Sequence, residues 1–560
     1  MASTITVTSP AAPVSQMPVA EPDGHSRRQY APSLWGNFFL THEPFTQKEL
    51  LSMNEKAQAM KEQVRRILLD TAASDDMARK LDLVDALQRL GVGYHYRKEI
   101  DDVLCAVYDD KHGGSDDLYV TSLKFYLLRK HGYAVSSDVF LKFRDEEGNI
   151  SSDNVNVVIM LYDAAHLRTP GEDILDNIIL FNKSRLEYVA RTNLETEEVE
   201  EARFTLETPR FRRVERVEAR RFISVYEKKV ERDDTILKFA KVDFNIVQAV
   251  YCTELKELTI WWEDFKSRTD MRFARDRMVE MYFWMMGLVY EPFYSYARIL
   301  LTKVVLFYAL LDDVYDNYST TEEIMMFTAA MERWDDKAPE QLPENLRAFY
   351  NNLISNVNEI MEKLKIQKNE NAEAVRKLVF HVAKSYHGEV EWRDENYVPA
   401  SVEEHLQISM PSIVAMQTGN LALVSLGDVT PMEAVEWAFN FPKIVRAVAI
   451  VARISNDIMS HEREQASEHM VSTVQTCMKQ YGVTAEEAIE KLRVYVEKAW
   501  MEIVQGCLDQ DYSIVLLEKL VNCARTIDFI YKREDAYTCS SNLKDTITSL
   551  VPLNLVVLCH

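Results

Sequence analysis

Only 15 Gly and 16 Pro occur among 560 residues, about half the roughly 12% that these two breakers usually supply. In a helix interior Gly costs about 1 kcal/mol and Pro about 3 kcal/mol relative to Ala. A chain that avoids both over this length is predicted to be mostly helix. The length exceeds what one hydrophobic core serves, so two domains are expected. Apolar residues at 47% supply enough material for large cores, and charged residues at 27% place the chain among globular proteins. Acidic residues outnumber basic ones, 88 to 65, for a net charge of −23. That charge repels phosphate backbones and excludes nucleic acid as the main partner.

Cys105, Cys252, Cys477, Cys507, Cys523, Cys539 and Cys559 include no C-x-x-C pair, so reduced thiols are expected. The apolar stretch Ile299 to Leu311 is 13 residues long and contains Lys303. A membrane span needs about 20 apolar residues, so none is expected. Residues 1–30 are expected to be a disordered N-terminal segment, because Pro10, Pro13, Pro18 and Pro22 stand among Ser, Thr and Ala. The first 24 residues lack Lys and Arg and contain Glu21 and Asp23. An organelle leader is Arg-rich and acid-poor, so a cytoplasmic location is expected.

From Phe45 a helical period begins, with Leu50, Leu51, Met60, Val64, Ile67 and Leu68 on one stripe. Two segments, 83–96 and 125–140, each read as an amphipathic helix closed by a Gly, Gly91 and Gly132. No strand is predicted. The basic run RFRRVERVEARR (210–221) reads as a solvated helix face crossing between domains, or alternatively as an anion site. Beyond about residue 235 the helices gain Trp, Tyr, Phe and Met. The predicted division is therefore a helical domain over 31–235 and a second over 236–560.

Four groups of residues bear chemistry. In DDVYD (312–316) the acids follow the apolar run ILLTKVVLFYALL, so they stand at the mouth of a buried helix. Asp312 and Asp316 differ by about 40° and share a face, where two carboxylates suit Mg²⁺. Asp313 points about 100° away and reads as a supporting residue. In NDIMSHERE (456–464), Asn456, Ser460 and Glu464 form one stripe, with Arg453 on the same face. An amide oxygen, a hydroxyl and a carboxylate suit Mg²⁺ and not Zn²⁺. Arg275 and Arg277 in RDR can clamp diphosphate oxygens through paired N–H donors, and surface charge is the simpler reading of the same pair. The aromatic run MYFWMMGLVYEPFYSY (281–296), with Tyr537, is either core or a pocket that stabilises a cation through ring faces.

Together, PSLWGNFF (32–39), LQRLGVGYHYRKEID (87–101), RDRMVEMYFW (275–284), DDVYD, EWRDENYVPA (391–400), NDIMSHERE and EDAYT (534–538) resemble a plant class I terpene synthase. The resemblance is to the angiosperm sesquiterpene group, of grass type. It implies an all-α fold of two helical domains: a C-terminal class I terpenoid synthase bundle and an α-barrel-like N-terminal domain. The absence of a D-x-D-D motif implies that the N-terminal domain is catalytically silent. By resemblance, Asp312, Asp316 and Glu389, with Glu391 as the alternative to Glu389, are ligands of two Mg²⁺ ions. Asn456, Ser460 and Glu464 resemble the set that holds a third, with Mn²⁺ as a possible substitute. Arg275, Arg277 and Arg453, with Asp312 beside them, match the diphosphate site. Trp284 and Tyr537 match pocket aromatics, with Asp535 in the same lid region.

The implied reaction is ionisation and cyclisation of farnesyl diphosphate by a monomeric lyase. Geranyl or geranylgeranyl diphosphate is the alternative substrate. A chain-elongating prenyltransferase and a non-catalytic helical scaffold are the rivals from other classes. Two departures stand out. Arg27–Arg28 precede Trp35 with six residues between, where the family's arginine pair normally stands eight before the Trp, and Asn456 stands where many members have Asp.

Overall fold

The computed structural model describes residues 19–20, 26–27, 32–110, 116–192, 196–271, 273–335, 337–395, 397–465 and 471–551. Arg28 and most of the expected disordered segment 1–30 therefore lie outside the described residues. The described chain is helical except for one antiparallel pairing, Val19–Ala20 with Ser26–Arg27. This corrects the expectation of no strand. The pairing is two residues long, too short for periodicity to reveal, and Ser26–Arg27 packs beside Val314–Tyr318.

Helix ends follow the local chemistry of the sequence. Gln47–Ala72 opens on a capping box, with Thr46 and Glu49 each bonding the other's backbone N–H. Gly91 and Gly132 take φ of 74° and 83°, and the following residues donate back across the helix ends. Val92 N reaches Leu87 O at 3.1 Å and Tyr133 N reaches Leu128 O at 2.9 Å, the Schellman arrangement that a left-handed residue allows. The chain breaks between Glu215–Lys228 and the 34-residue helix Asp234–Ser267.

Asp234–Ser267 packs against Gln47–Ala72 on one side and against Met278–Leu288 and Ser295–Asp313 on the other. A single large apolar cluster runs from Trp35 to Val551. The indole of Trp35 donates to Glu280 at 3.3 Å, tying the first helices to the helix that carries Trp284.

The run 210–221 is not a solvated face, and four of its six arginines, Arg210, Arg212, Arg213 and Arg221, are taken by carboxylates. Arg210, Arg212, Arg213 and Arg216 are buried or nearly so. Arg212 forks onto Glu497 at 2.6 and 2.7 Å, and Arg210 reaches Asp85 at 2.9 Å. Arg89, Arg213 and Arg221 enclose Glu201 and Glu218. Burial opposes ionisation of Glu218, but Arg213, Arg89 and Arg221 overcome it and hold its pKa at about 2.

Acid should loosen this interior in two stages. Burial holds the imidazoles of His166 and His405 neutral, with pKa lowered to about 3 and about 4. In the unfolded chain they take protons near 6.5, so the unfolded state binds more protons below that pH and stability falls. Glu218 and Glu518, both at about 2 when folded, withdraw their contribution as pH falls from about 4.5 towards 2. Melting temperature should decline steadily below pH 6.5. The double variant His166→Gln/His405→Gln should show a shallower decline between pH 6 and 4, and an unchanged slope would remove the two imidazoles as its cause.

One close approach positions the site helix. A Cβ on Gly287 would stand 2.3 Å from Thr526 Oγ1, so Met278–Leu288 lies against Ile514–Ile530 only because Gly287 has no side chain. Gly287→Ala should cost about 1–3 kcal/mol of stability through overpacking, read as a lower melting temperature. Combining it with Thr526→Ala should recover part of the loss.

Candidate active site

The helix Ser295–Asp313 buries nearly every apolar residue of its length and delivers its acids at its C-terminal end. It continues directly into a π-helical turn, Val314–Tyr318. Such turns are rare and concentrate at functional sites.

Arg275 organises the acids. Its backbone N–H donates to Asp313 Oδ2 at 2.9 Å, and its Nη2 donates to Asp312 Oδ2 at 2.6 Å. The same guanidinium lies 2.9 Å from Asp313 Oδ1 and 4.8 Å from the centre of the Tyr537 ring. Asp313 is buried and holds the arginine loop, the supporting place its direction predicted. Arg277 is buried at the start of Met278–Leu288 and donates to the carbonyls of Tyr537 and Thr538 at 3.4 and 3.2 Å. Both arginines thus face the segment 535–538 and are not surface charge.

Asp312, Asp316 and Glu389 form one electrostatic cluster. The Asp316 carboxylate opens to the cleft mouth, yet the surrounding protein first, then Asp312 and Glu389, push its pKa well above the usual carboxylate range. Glu389 is buried on Ala374–Asp394. Burial raises its pKa, against the opposing pull of Arg453 and the Ser412 hydroxyl. Glu391 lies elsewhere, exposed and 3.7 Å from His387, so Glu389 is the acid that meets the cluster.

The second stripe lies on Lys443–Gln465, one continuous helix as the sequence predicted. Ser460 is fully buried, and its Oγ makes no hydrogen bond. Asn456 bonds the hydroxyl of Tyr531. Arg453 turns to Glu389 at 3.2 Å, Ser412 Oγ at 2.9 Å and Ser409 O at 3.1 Å. The Glu464 side chain lies outside the described residues. Asp457 is buried and accepts from Thr473 N at 2.8 Å.

These observations fit a hard divalent cation. Asp312, Asp313, Asp316 and Glu389 outnumber the two guanidiniums that pair among them, Arg275 and Arg453, the buried Ser460 hydroxyl makes no hydrogen bond, and every donor is oxygen. Among the described residues, no three Asp, Glu, His or Cys groups converge tightly enough to hold an ion by themselves. That suits Mg²⁺, which completes its octahedron with waters and substrate oxygens.

The aromatic wall stands beside the acids. Trp284 is half-buried and sits edge-on to Tyr531 and Tyr537, with ring centres 6.4 and 6.3 Å away. Its indole N–H is buried without a hydrogen bond. Asp535 accepts from Arg463 at 2.6 Å and from Thr538 N at 3.0 Å, so it pins the Tyr537 segment to the end of the metal-type helix. Sequence reasoning missed Tyr386 and Tyr531. Burial first, then the Asp312 and Glu389 carboxylates, raise the Tyr386 pKa. Its place three residues before Glu389, hence on the same helix face, was the available signal. Ser409 and Ser412 left none, because they flank a helix break that ends at Val414, a β-branched residue at φ 55°.

An all-helical chain with two oxygen-rich stripes, an arginine loop and an aromatic wall defines a class of diphosphate-ionising enzymes. The chain belongs to the terpene synthase family. Residues 34–205 match the model for the terpene synthase N-terminal domain, and residues 263–502 match the terpene synthase metal-binding domain. It is 49% identical to (E)-beta-caryophyllene synthase of Zea mays over 95% of this chain and 96% of that protein. It is 41% identical to zingiberene synthase of Sorghum bicolor, covering 93% and 96% respectively. Among solved structures, limonene synthase superposes with a TM-score of 0.86 at 27% identity, covering 94% of this chain and 99% of that one. Isoprene synthase of Populus x canescens, in complex with three Mg²⁺ ions and dimethylallyl-S-thiolodiphosphate, superposes with a TM-score of 0.83 at 27% identity, covering 90% and 98%. No described helix is long and apolar enough to cross a membrane.

Proposed function

We propose that the chain is a sesquiterpene synthase that ionises farnesyl diphosphate with Mg²⁺, folds and cyclises the cation, and releases diphosphate after proton loss. The observation that carries this reading is the crowded Asp312–Asp316–Glu389 cluster beside the Trp284–Tyr531–Tyr537 wall, in a chain whose relatives are named sesquiterpene synthases. Asp312, Asp316 and Glu389 on one side, with Asn456, Ser460 and Glu464 on the other, would hold three Mg²⁺ ions, for which Mn²⁺ is the proposed substitute. When bound, Mg²⁺ neutralises the charge that develops on the leaving diphosphate.

Arg275, now on Asp312, and Arg277 supply N–H donors to the diphosphate oxygens, and Arg453 does so from the Glu389 side. Trp284, Tyr531 and Tyr537 present ring faces and edges to the hydrocarbon and keep water from the cation. Asp535 acts through Arg463 by holding the Tyr537 segment in place. The catalytic work falls to 236–560, with 31–235 as a silent helical support. A cytoplasmic monomer is the proposed setting, consistent with reduced thiols at all six described cysteines.

Gas chromatography of products from purified protein tests the reading. With Mg²⁺, farnesyl diphosphate should give fifteen-carbon hydrocarbons, and chelation with EDTA should remove them. Preferential turnover of geranyl or geranylgeranyl diphosphate would overturn the substrate. Elongated diphosphate products would make the chain a prenyltransferase, and no turnover of any of the three would leave a scaffold.

A further inference from the structure

Arg275 and Arg277 stand on the loop that joins the helices Asp234–Ser267 and Met278–Leu288. Asp276 lies between them and turns the other way. Arg275 reaches Asp312 and Asp313, and Arg277 reaches the carbonyls of Tyr537 and Thr538. The Asp276 carboxylate instead meets the helix that precedes the loop. Its Oδ1 accepts from the Trp262 indole N–H at 2.9 Å, and its Oδ2 accepts from the Lys266 ammonium at 3.1 Å.

These partners form a firm support. Trp262 is buried and stacks on Phe265, with ring centres 5.6 Å apart and planes 14° from parallel. Lys266 stands four residues on, one turn along the same helix, and also takes Glu263 at 2.8 Å. Both rings belong to the main apolar core, so the 34-residue helix offers Asp276 an anchor that does not move with the loop.

Behind the loop there is space instead of packing. A cavity of about 370 Å³ opens there, with Thr269, Met271 and Ala274 in its lining beside Trp262, Lys266 and Asp276. It shares no residue with the acid cluster or the aromatic wall. Close packing is what normally fixes a side chain's place, and here polar contacts must do it. Asn352 fastens the start of the loop, donating to Phe265 O and Thr269 Oγ1 at 3.0 Å each. Asp313 fastens it from the cleft side through the Arg275 backbone N–H at 2.9 Å. Asp276 fastens it from behind, and its own carbonyl accepts from Arg277 Nη1 at 3.2 Å. When the Arg275 side chain leaves Asp312 for a diphosphate, the contacts to Asp313 N–H and Asp276 are what keep the loop backbone in place.

We propose that Asp276 is a positioning residue, which aims Arg275 and Arg277 at the diphosphate by tying their loop to Trp262 and Lys266. The proposal rests on the diphosphate role given to the two arginines above, and it holds for any prenyl diphosphate substrate. The charge of Asp276 alone predicts the opposite effect. A carboxylate beside two arginines repels an anion, so its removal should tighten diphosphate binding. Weaker binding on removal therefore reports lost position.

The test titrates the full chain with sodium diphosphate in excess Mg²⁺ by calorimetry, and measures its melting temperature in EDTA. Arg277→Gln is the reference and should weaken binding about tenfold, as expected for losing a charged hydrogen bond. Asp276→Ala should weaken binding about three- to tenfold, part of what a misplaced group costs. Its metal-free melting temperature should stay within about two degrees of the unaltered chain, because the carboxylate and its ammonium partner are only partly buried. Asp276→Asn carries the same charge as the Ala variant and keeps an acceptor for Trp262, so it should recover part of the loss. Trp262→Phe alters no charge, should also weaken binding, and covers the case in which Asp276→Ala does not fold. Unchanged or tighter binding in Asp276→Ala, beside weakened binding in Arg277→Gln, overturns the proposal and leaves the arginine site standing. So does binding as weak in Asp276→Asn as in Asp276→Ala, with Trp262→Phe at full affinity. Full affinity in Arg277→Gln, or no diphosphate binding by the unaltered chain, removes the arginine site and the proposal together.

Discussion

Asp316→Ala should lower turnover by about 10²–10³-fold or more, the scale of removing one preorganised group that stabilises transition-state charge, while leaving the melting temperature unchanged or slightly raised. The two effects separate because Asp316 is electrostatically uncomfortable in the folded protein. The surrounding protein, Asp312 and Glu389 all resist its ionisation, so deleting it relieves repulsion. Asp312→Ala should lose activity to the same degree. Its loss frees the Arg275 guanidinium, which keeps Asp313 at 2.9 Å, so the fold should hold. Asp313→Ala is the contrast. That residue is buried and accepts the Arg275 backbone N–H, so its removal should lower the melting temperature along with activity. Product formation and thermal unfolding of the three variants, measured side by side, check the pattern. Near-normal turnover in Asp316→Ala with Mg²⁺ would remove the metal assignment.

What was legible in the sequence was local or periodic. The shortage of Gly and Pro foretold helices, and Gly91 and Gly132 marked two helix ends because a left-handed residue there has a backbone cause. The apolar run before DDVYD placed three acids at a helix mouth, and the structure puts Asp312, Asp313 and Arg275 in contact there. What stayed hidden depended on partners far along the chain. Nothing in RFRRVERVEARR distinguishes solvated arginines from buried ones, since the carboxylate that takes Arg212 is Glu497, 285 residues away. The choice between Glu389 and Glu391 was equally closed to spacing, because only the fold places one of them among the acids. The π turn at 314–318 and the break ending at strained Val414 left no compositional trace, although both shape the cleft. Tyr386 was the readable omission, since its register with Glu389 follows from helix geometry alone.

Trp284→Ala should change which products form more than how stable the protein is. The ring is half-buried, stands edge-on to Tyr531 and Tyr537, and keeps its N–H without a hydrogen bond. A core tryptophan usually finds a partner for that group, so this one reads as wall and not as filling. It lies on Met278–Leu288, seven residues beyond Arg277, about two turns and roughly 10 Å deeper into the domain. Diphosphate held at the arginines would leave the hydrocarbon tail extending towards it. A cation facing the ring gains about 2 kcal/mol or more when desolvated, so its loss should lower turnover. It should also shift the mixture towards early-quenched products, acyclic hydrocarbons or alcohols, because later cations lose their π partner. Trp284→Phe should be milder, since a smaller ring still presents a face. A purely structural Trp284 predicts the reverse: a loss of about 3–5 kcal/mol in stability, with every product reduced in the same proportion. Product ratios and melting temperature measured on the same preparations separate the two, and constant ratios with a large fall in melting temperature would take Trp284 out of the site.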